Sequence, residues 1–313
     1  MVYFSGRRID LGTEFWTIDP STDEASVRDI RAGGNSSDPQ ELIDLNGPLL
    51  FSASDWIHGG ELWCANEAGS RMVEDLSPGF TGTAIRKLTA FGDYALFFST
   101  GAVLDDELWI SDGTAAGTRP VSDIEPGPGG IQPYLMIGYD CGVAFALDLA
   151  ATGEELWFSA SNGASGWDLW RSDATVAGTV LAVTAGIKSN LAVIGSTIYF
   201  AADDPATGVE LWRSDGTAAG TAMIDDTVPG PDGLEPKNLI PVGMTLFFTA
   251  AWPDPGSPFH GSELWRYDEA PRGVAMVKDI CPGEAGSNPS QLTANGSRSD
   301  TRRSLEQKLR NRA

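Results

Sequence analysis

The sequence contains few of the residues that build redox, metal or nucleophilic sites. Its 313 residues include three cysteines and two histidines. Cys64, Cys141 and Cys281 form no CxxC pair and no zinc-ligand spacing, and their odd number argues against a disulfide framework. The GxSxG, P-loop, HExxH and strand-associated GxGxxG patterns are also absent. We therefore predict no catalytic residue and no bound metal or cofactor, and we favour a non-enzymatic role.

Basic residues and long apolar runs are scarce as well. There are 21 Lys and Arg against 43 Asp and Glu, which gives a formal net charge of −22. Such an acidic surface repels phosphate backbones, so a nucleic-acid partner is not expected. No apolar run is long enough to cross a membrane, and no signal peptide is visible in MVYFSGRRID. We expect a monomer that does not insert into membranes.

A short motif recurs along the chain instead: an acid, then Leu or Phe, then Trp. Six copies lie about 50 residues apart on average. The 37 glycines and 19 prolines suit the many turns that such a repeat requires. The acid and Trp pairs, which we interpret as structural, are Glu14 and Trp16, Glu61 and Trp63, Glu107 and Trp109, Asp168 and Trp170, Glu210 and Trp212, and Glu263 and Trp265.

An aromatic-rich run precedes each copy. The last aromatic stands 12 residues before the Trp in four copies, 11 in the third (Phe98 to Trp109) and 17 in the sixth. By this spacing Trp157 belongs to the preceding strand and is not a seventh copy. The third copy divides into four strands, at residues 86–91, 95–99, 107–111 and 120–124. This pattern predicts an all-β, six-bladed β-propeller of four-stranded antiparallel blades.

The two ends of the sequence complement each other. The chain starts at a second strand, and residues 288–296 match the first-strand pattern of residues 235–243. We expect this C-terminal segment to pair into the first blade and close a single propeller over residues 1–296. Residues 297–313 are predicted to be a basic flexible tail or a short helix. In the irregular fourth copy, the first strand is either residues 134–137 or residues 143–147.

The repeat resembles a known family. ELWISDGTAAGT at residues 107–118 and ELWRSDGTAAGT at residues 210–221 are similar to the motif of the ELWxxDGT-repeat family of bacterial, mostly exported proteins. Copies one, two and six keep the acid and Trp but lose the DGT turn. The resemblance implies an extracellular or cell-surface location. It implies no particular reaction, because the family has no general assigned activity.

The repeated acids allow two interpretations. Six carboxylates could form a ring of cation ligands, but they lie on the third strand of each blade, where ring members are far apart. We favour a structural role in which each carboxylate accepts hydrogen bonds between blades. The Asp of each DGT turn is ordinary turn chemistry, and no motif supports calcium, which needs several converging oxygens.

Residues that do not repeat are the better candidates for ligand contacts. They lie in the loops between second and third strands, and aromatic side chains there could stack on sugars or hold a protein partner. The alternative is that they pack over the edges of their own blades. The two histidines lack close partners for a metal. The candidate ligand-binding residues are Trp56, His58, Trp167, Trp252, Phe259 and His260.

These features predict a non-enzymatic binding or adhesion module. One loop face of the propeller would recognise carbohydrate or a protein surface. Two alternatives stay open at the level of sequence: a carboxylate-dependent glycan hydrolase or lyase with a site in the central channel, and a purely structural repeat segment of a larger surface protein.

Overall fold

Strands that are adjacent in sequence pair into antiparallel sheets throughout the chain. The computed structural model describes residues 1–66, 69–100, 106–122, 149–152, 155–161, 167–252, 260–282 and 286–294. These residues form an all-β protein of six sheets, and no helix occurs among them. The chain divides into two compact units, Met1–Gly186 and Ile187–Ala313.

The first unit contains four sheets. The first sheet has three strands and the other three have four each, in sequence order within every sheet. The strands are β1 Val2–Arg8, β2 Gly12–Asp19 and β3 Glu24–Arg28; β4 Gln40–Asp44, β5 Leu49–Ser54, β6 Gly60–Asn66 and β7 Gly69–Glu74; β8 Arg86–Phe91, β9 Tyr94–Thr100, β10 Asp106–Ser111 and β11 Arg119–Ser122; and β12 Leu149–Thr152, β13 Glu155–Ser161, β14 Trp167–Ser172 and β15 Val180–Val183.

The second unit contains two four-stranded sheets of the same design. Its strands are β16 Ala192–Ile194, β17 Thr197–Asp204, β18 Gly208–Ser214 and β19 Ala222–Met223, and then β20 Lys237–Val242, β21 Thr245–Trp252, β22 His260–Glu269 and β23 Arg272–Lys278. Four-stranded antiparallel meanders of this kind have the topology of propeller blades.

Aromatic and aliphatic side chains of the inner strands form the cores of both units. In the first unit, the rings of Phe15 and Phe51 stack at 4.6 Å between the first two sheets, and Phe98 meets Phe158 edge-on at 5.9 Å. In the second unit, Tyr199 and Tyr267 lie 5.8 Å apart. Because these rings come from successive sheets, they hold neighbouring sheets within each unit together.

The register of each sheet sets the Trp of the repeat opposite an aromatic residue. Phe51 faces Trp63, and Phe200 faces Trp212. In the third sheet the partner of Trp109 is Phe97 and not the last aromatic of the run, so the paired residues there are 12 apart, as in four other copies. Phe98 follows Phe97 directly on β9 and pairs with Leu108 instead of Trp109.

Three predicted segments differ from the structure or lie outside the described residues. The fourth sheet begins with β12 at Leu149–Thr152, whereas both predicted first strands lie outside the described residues. Residues 288–294 form no strand, and the first sheet has three strands among the described residues. The basic tail at residues 297–313 also lies outside the described part of the chain.

Candidate functional site

The repeat acid Glu14 is buried and binds the loop that leads out of its own sheet. Its Oε2 accepts hydrogen bonds from the Ile30 amide at 2.9 Å and from the Ser37 hydroxyl at 2.6 Å. Its Oε1 accepts the Ser37 amide at 2.9 Å. The carboxylate therefore holds both ends of the loop between β3 and β4.

The same arrangement recurs in the second unit at Glu263. This carboxylate accepts the amides of Ile280, Cys281 and Ser287 at 2.8–3.3 Å, and the Ser287 hydroxyl at 2.6 Å. In the first unit Asp168, one carbon shorter, accepts the Ala185 amide at 3.0 Å. Each of these carboxylates is occupied by the backbone of its outgoing loop, which is a structural role.

The SDGT turn is a closed network of short polar side chains. Asp112 Oδ1 accepts the amide of Thr114 at 2.9 Å and its hydroxyl at 2.6 Å. Thr114 Oγ1 in turn accepts the Gly117 amide at 3.1 Å, and the Ser111 and Thr118 hydroxyls are bonded at 2.7 Å. Asp173 and Asp215 form the same turn at the other two copies of the motif. The repeated motif therefore encodes a turn, and the Asp carboxylate of each copy accepts hydrogen bonds within that turn.

The two glycines of this turn should respond differently to substitution. A Cβ at Gly117 would overlap the Asp112 carboxylate, whereas a Cβ at Gly113 makes ordinary contacts with Leu50 Cδ2 at 3.6 Å and Cys64 Sγ at 3.9 Å. We expect Gly117→Ala to cost about 2 kcal/mol or more and Gly113→Ala about 1 kcal/mol, the latter from its positive φ. Ala174 occupies the equivalent of Gly113 at a φ of 68°. Urea unfolding of both variants tests this; equal losses would contradict it.

Trp56 is the most solvent-exposed of the candidate residues whose side chains are described. It lies in the β5–β6 loop with 69% of its surface exposed and a φ of 79°. The guanidinium carbon of Arg31, from the β3–β4 loop, lies 4.7 Å from the centre of its ring. This cation–π contact brings a loop between second and third strands together with a loop between sheets.

His58 lies in the same loop and is paired with Asp55. Its Nδ1 is 2.7 Å from Asp55 Oδ2, while Asp55 Oδ1 accepts the amides of Ile57 and His58 at 2.9 and 2.8 Å. The hydrogen bond to Asp55 is the largest influence that raises the pKa of His58, and the charges of Asp75 and Glu61 add to it. The sequence alone did not identify Asp55, because its role depends on the turn that places it beside His58.

Replacing Asp55 by Asn should therefore lower the pKa of His58. The neutral amide removes the carboxylate that favours the imidazolium, so the pKa is expected to fall toward the ordinary value of about 6.5. An NMR titration of the His58 ring protons measures it. Asp75→Asn serves as the control and should produce a smaller decrease. An unchanged midpoint in Asp55→Asn would contradict the pairing.

The other four candidate residues lie on strands or outside the described residues. Trp167 was predicted in a loop but is the first residue of β14, and its partly buried ring packs on the core of the first unit. Trp252 ends β21 and pairs in register with His260, which begins β22. Phe259 and the side chains of Trp252 and His260 lie outside the described residues. Among the candidate residues whose side chains are described, Trp56 and His58 share one loop, with Arg31 and Asp55 as added partners.

The described residues contain no group of three or more His, Cys, Asp or Glu side chains arranged to hold a metal ion. No helix within the described part of the chain is long and apolar enough to cross a membrane.

Comparison with known sequences gives no family. No protein-family model matches the chain, and no curated protein matches it in sequence.

Comparison with solved structures gives matches at low identity. A prolyl endopeptidase structure, reported for the role of inter-domain dynamics in catalysis and specificity, has a TM-score of 0.50 and 13% identity and covers 85% of this chain and 38% of its own. A puromycin hydrolase has a TM-score of 0.49 and 15% identity, with coverages of 92% and 46%. The β-propeller domain of the Trilobed protease from Pyrococcus furiosus has a TM-score of 0.44 and 11% identity, with coverages of 85% and 75%.

These matches correct the functional prediction. The chain spans less than half the length of the puromycin hydrolase and prolyl endopeptidase chains that it resembles. The predicted non-enzymatic binding or adhesion module for carbohydrate or protein surfaces is wrong, because the matching structure with a TM-score of 0.50 is that of a prolyl endopeptidase. At these identities the likeness itself establishes the fold alone, and it agrees with the blade-like sheets.

Proposed function

We propose that this chain is the β-propeller region of a peptidase-type protein and works beside a catalytic domain that the chain itself does not contain. The single observation that carries this proposal is the likeness to a prolyl endopeptidase over 85% of the chain but only 38% of the endopeptidase. Two features agree with a non-catalytic role for this part: the sequence has no GxSxG motif, and its repeat acids are occupied in holding loops.

A hydrolysis assay tests this proposal. The purified chain and the native protein, recovered from its source with an antibody against this chain, are incubated with puromycin and with a prolyl peptide. We expect hydrolysis by the native protein and none by the chain alone. Hydrolysis by the chain alone, or an inactive native protein that contains no peptidase domain, would contradict the proposal. An unrelated propeller protein carried through the same purification controls for contaminating peptidases.

We also propose that the fold is a ring of six blades closed by residues 288–296. Backbone similarity supports this. Asn288 donates its amide to Ser262 O at 2.9 Å, as Glu235 does to Val209 O at the same distance. Asn288 and Gln291 have φ values of 47° and 54°, and the equivalent residues at the entry to β20, Glu235 and Asn238, have 51° and 55°. The segment thus has the geometry of a first-strand entry.

The register of β20 gives the closing strand a specific pairing. Lys237 faces Thr249 and Ile240 faces Phe247, with a bulge between them. By equivalence Ser290 should face Ser5, and Thr293 should face Tyr3, on the free edge of β1. This pairing would give the first sheet its fourth strand and remove the exposed edge.

Disulfide trapping tests the closure. In a background with the native cysteines replaced by Ser, Ser5→Cys with Ser290→Cys should form an intramolecular disulfide on mild oxidation. Ser5→Cys with Ala294→Cys is the matched control and should not, because a four-residue offset exceeds disulfide reach. Equal cross-linking of both pairs, or of neither, would contradict the proposed register.

Membership in the ELWxxDGT-repeat family, an extracellular location and a monomeric state are part of the same proposal. The quoted motif supports the first two. Size-exclusion chromatography with light scattering tests the third, and a dimer at micromolar concentration would contradict it.

A further inference from the structure

Glu210 lacks a hydroxyl donor that two other repeat acids, Glu14 and Glu263, receive. In the loops held by Glu14 and Glu263, the residue just before the next first-strand entry is a serine whose hydroxyl donates at 2.6 Å. The equivalent residue in the loop held by Glu210 is Leu234, which contributes only its amide, at 3.1 Å. A side-chain hydroxyl therefore binds the carboxylate of Glu14 and of Glu263, whereas Leu234 has no side-chain donor to offer Glu210.

The missing hydroxyl leaves one oxygen of Glu210 without a partner. Glu210 is fully buried, and its Oε1 accepts the amides of Val228 and Leu234 at 3.2 and 3.1 Å. Its Oε2 is buried without a hydrogen-bond partner among the described residues, as is Thr227 Oγ1 on the same loop. A buried carboxylate oxygen without a donor disfavours the ionised form.

The charged groups around Glu210 do not offset the cost of ionising its buried carboxyl group. The cations on nearby elements are engaged with other carboxylates: Arg213 with Glu269 at 3.0 Å, Lys237 with Glu235 at 3.0 Å, and Lys188 with Asp203 at 3.7 Å. The other charged side chains on the loop and the adjoining strand ends are all acids: Asp204, Asp225, Asp226 and Asp232.

Burial accordingly raises the pKa of Glu210 to about 7, with the charge of Asp226 adding to the rise and the loop amides opposing it. For Glu263, burial acts in the same direction, but the hydrogen bonds from the Ser287 hydroxyl and from the Ser287, Cys281 and Ile280 amides outweigh it and the pKa is lowered. The pKa shifts of the two acids are therefore opposite in direction, and Glu263 has a hydroxyl donor that Glu210 lacks.

We propose that Glu210 is a proton-binding latch of the second unit: the neutral carboxylic acid holds the loop between β19 and β20 closed, and loss of the proton loosens that loop. The proton sits on the orphan oxygen, Oε2, while Oε1 continues to accept the two loop amides. On ionisation the buried charge requires water, which the closed loop excludes, so the loop opens. This inference is independent of the proposed peptidase role.

NMR on the full chain tests the latch. The side-chain ¹³C resonance of Glu210, assigned by its loss in Glu210→Gln, is followed with pH together with exchange of the Val228 and Leu234 amides. We expect Glu210 to titrate near pH 7, and both amides to exchange faster than their intrinsic pH dependence above that midpoint. In Leu234→Ser the midpoint should fall by about one to two pH units because the hydroxyl stabilises the carboxylate.

Two further variants keep the test decisive. Ser287→Leu should shift Glu263 in the opposite direction, which makes it the matched control for Leu234→Ser. Glu210→Gln, an isosteric neutral group, should remove the extra pH dependence of amide exchange even if the serine variant fails to fold. A Glu210 midpoint near its ordinary value of about 4.3, or amide exchange with the same pH dependence in Glu210→Gln as in the native chain, would overturn the proposal.

Discussion

Replacing Glu14 by alanine is expected to lower the free energy of unfolding by about 3 kcal/mol. The carboxylate is fully buried and accepts the Ile30 amide and both the amide and hydroxyl of Ser37. Each buried donor left without an acceptor costs about 1–3 kcal/mol, although the Ser37 amide keeps a second acceptor in Thr13 O at 3.0 Å. Urea unfolding followed by tryptophan fluorescence measures the change.

Two controls separate the clamp from general packing damage. Ser37→Ala removes one donor and keeps the carboxylate, so it should cost about 1 kcal/mol. Asp10→Ala removes an exposed carboxylate whose partner is the exposed Arg8, and it should cost almost nothing. A Glu14→Ala variant as stable as Asp10→Ala would contradict the structural role of the repeat acid.

Raising the pH from about 5 to about 8 is expected to destabilise the protein. Burial raises the pKa of both Glu61 and Glu210 to about 7, above the value near 4.3 of an unfolded chain. A group with a raised folded-state pKa gives its full stability below the unfolded value and loses it as the pH passes the folded value. The loss is on the order of 3 kcal/mol for each site.

The unfolding midpoint in urea at several pH values measures this dependence. Glu61→Gln combined with Glu210→Gln should flatten the curve between about pH 5 and pH 8, since neither amide titrates. Below about pH 4 the opposite trend is expected, because hydrogen bonds lower the pKa of the turn carboxylates Asp112 and Asp215. Stability that stays constant or increases from pH 5 to pH 8 would contradict the burial of these two acids without compensation.

Much of the architecture could be predicted from the sequence because each sheet repeats one local pattern. The strand predicted at residues 86–91 is β8, and Trp157 belongs to β13 as its spacing required. Alternating aromatic residues and Gly-rich turns specify strands locally, without long-range information. Trp109 shows the limit of counting, since the run before it ends in two adjacent aromatics that point to opposite faces and only the strand pairing shows that Phe97 is its partner.

The candidate site was less predictable for two physical reasons. Arg31 and Asp55 join Trp56 and His58 through turns and a cation–π contact between different loops, which spacing along the chain does not reveal. Trp167 was assigned to a loop, but β14 begins one residue earlier than expected and the core buries part of its ring. The sequence indicated no peptidase role, because the repeat encodes scaffold and the proposed peptidase association rests on the likeness in fold to a solved structure.

Each repeat acid whose outgoing loop is described binds backbone amides of the loop that leads out of its sheet: Glu14, Glu61, Asp168, Glu210 and Glu263. Amide hydrogen exchange in native protein and in Glu263→Ala tests it most directly. We expect the Ile280, Cys281 and Ser287 amides to exchange at least about tenfold faster in the variant, while the Leu76 amide, held by Glu61 at 3.0 Å, keeps its rate. Unchanged exchange at all three loop amides in a variant that has lost the carboxylate would contradict the claim.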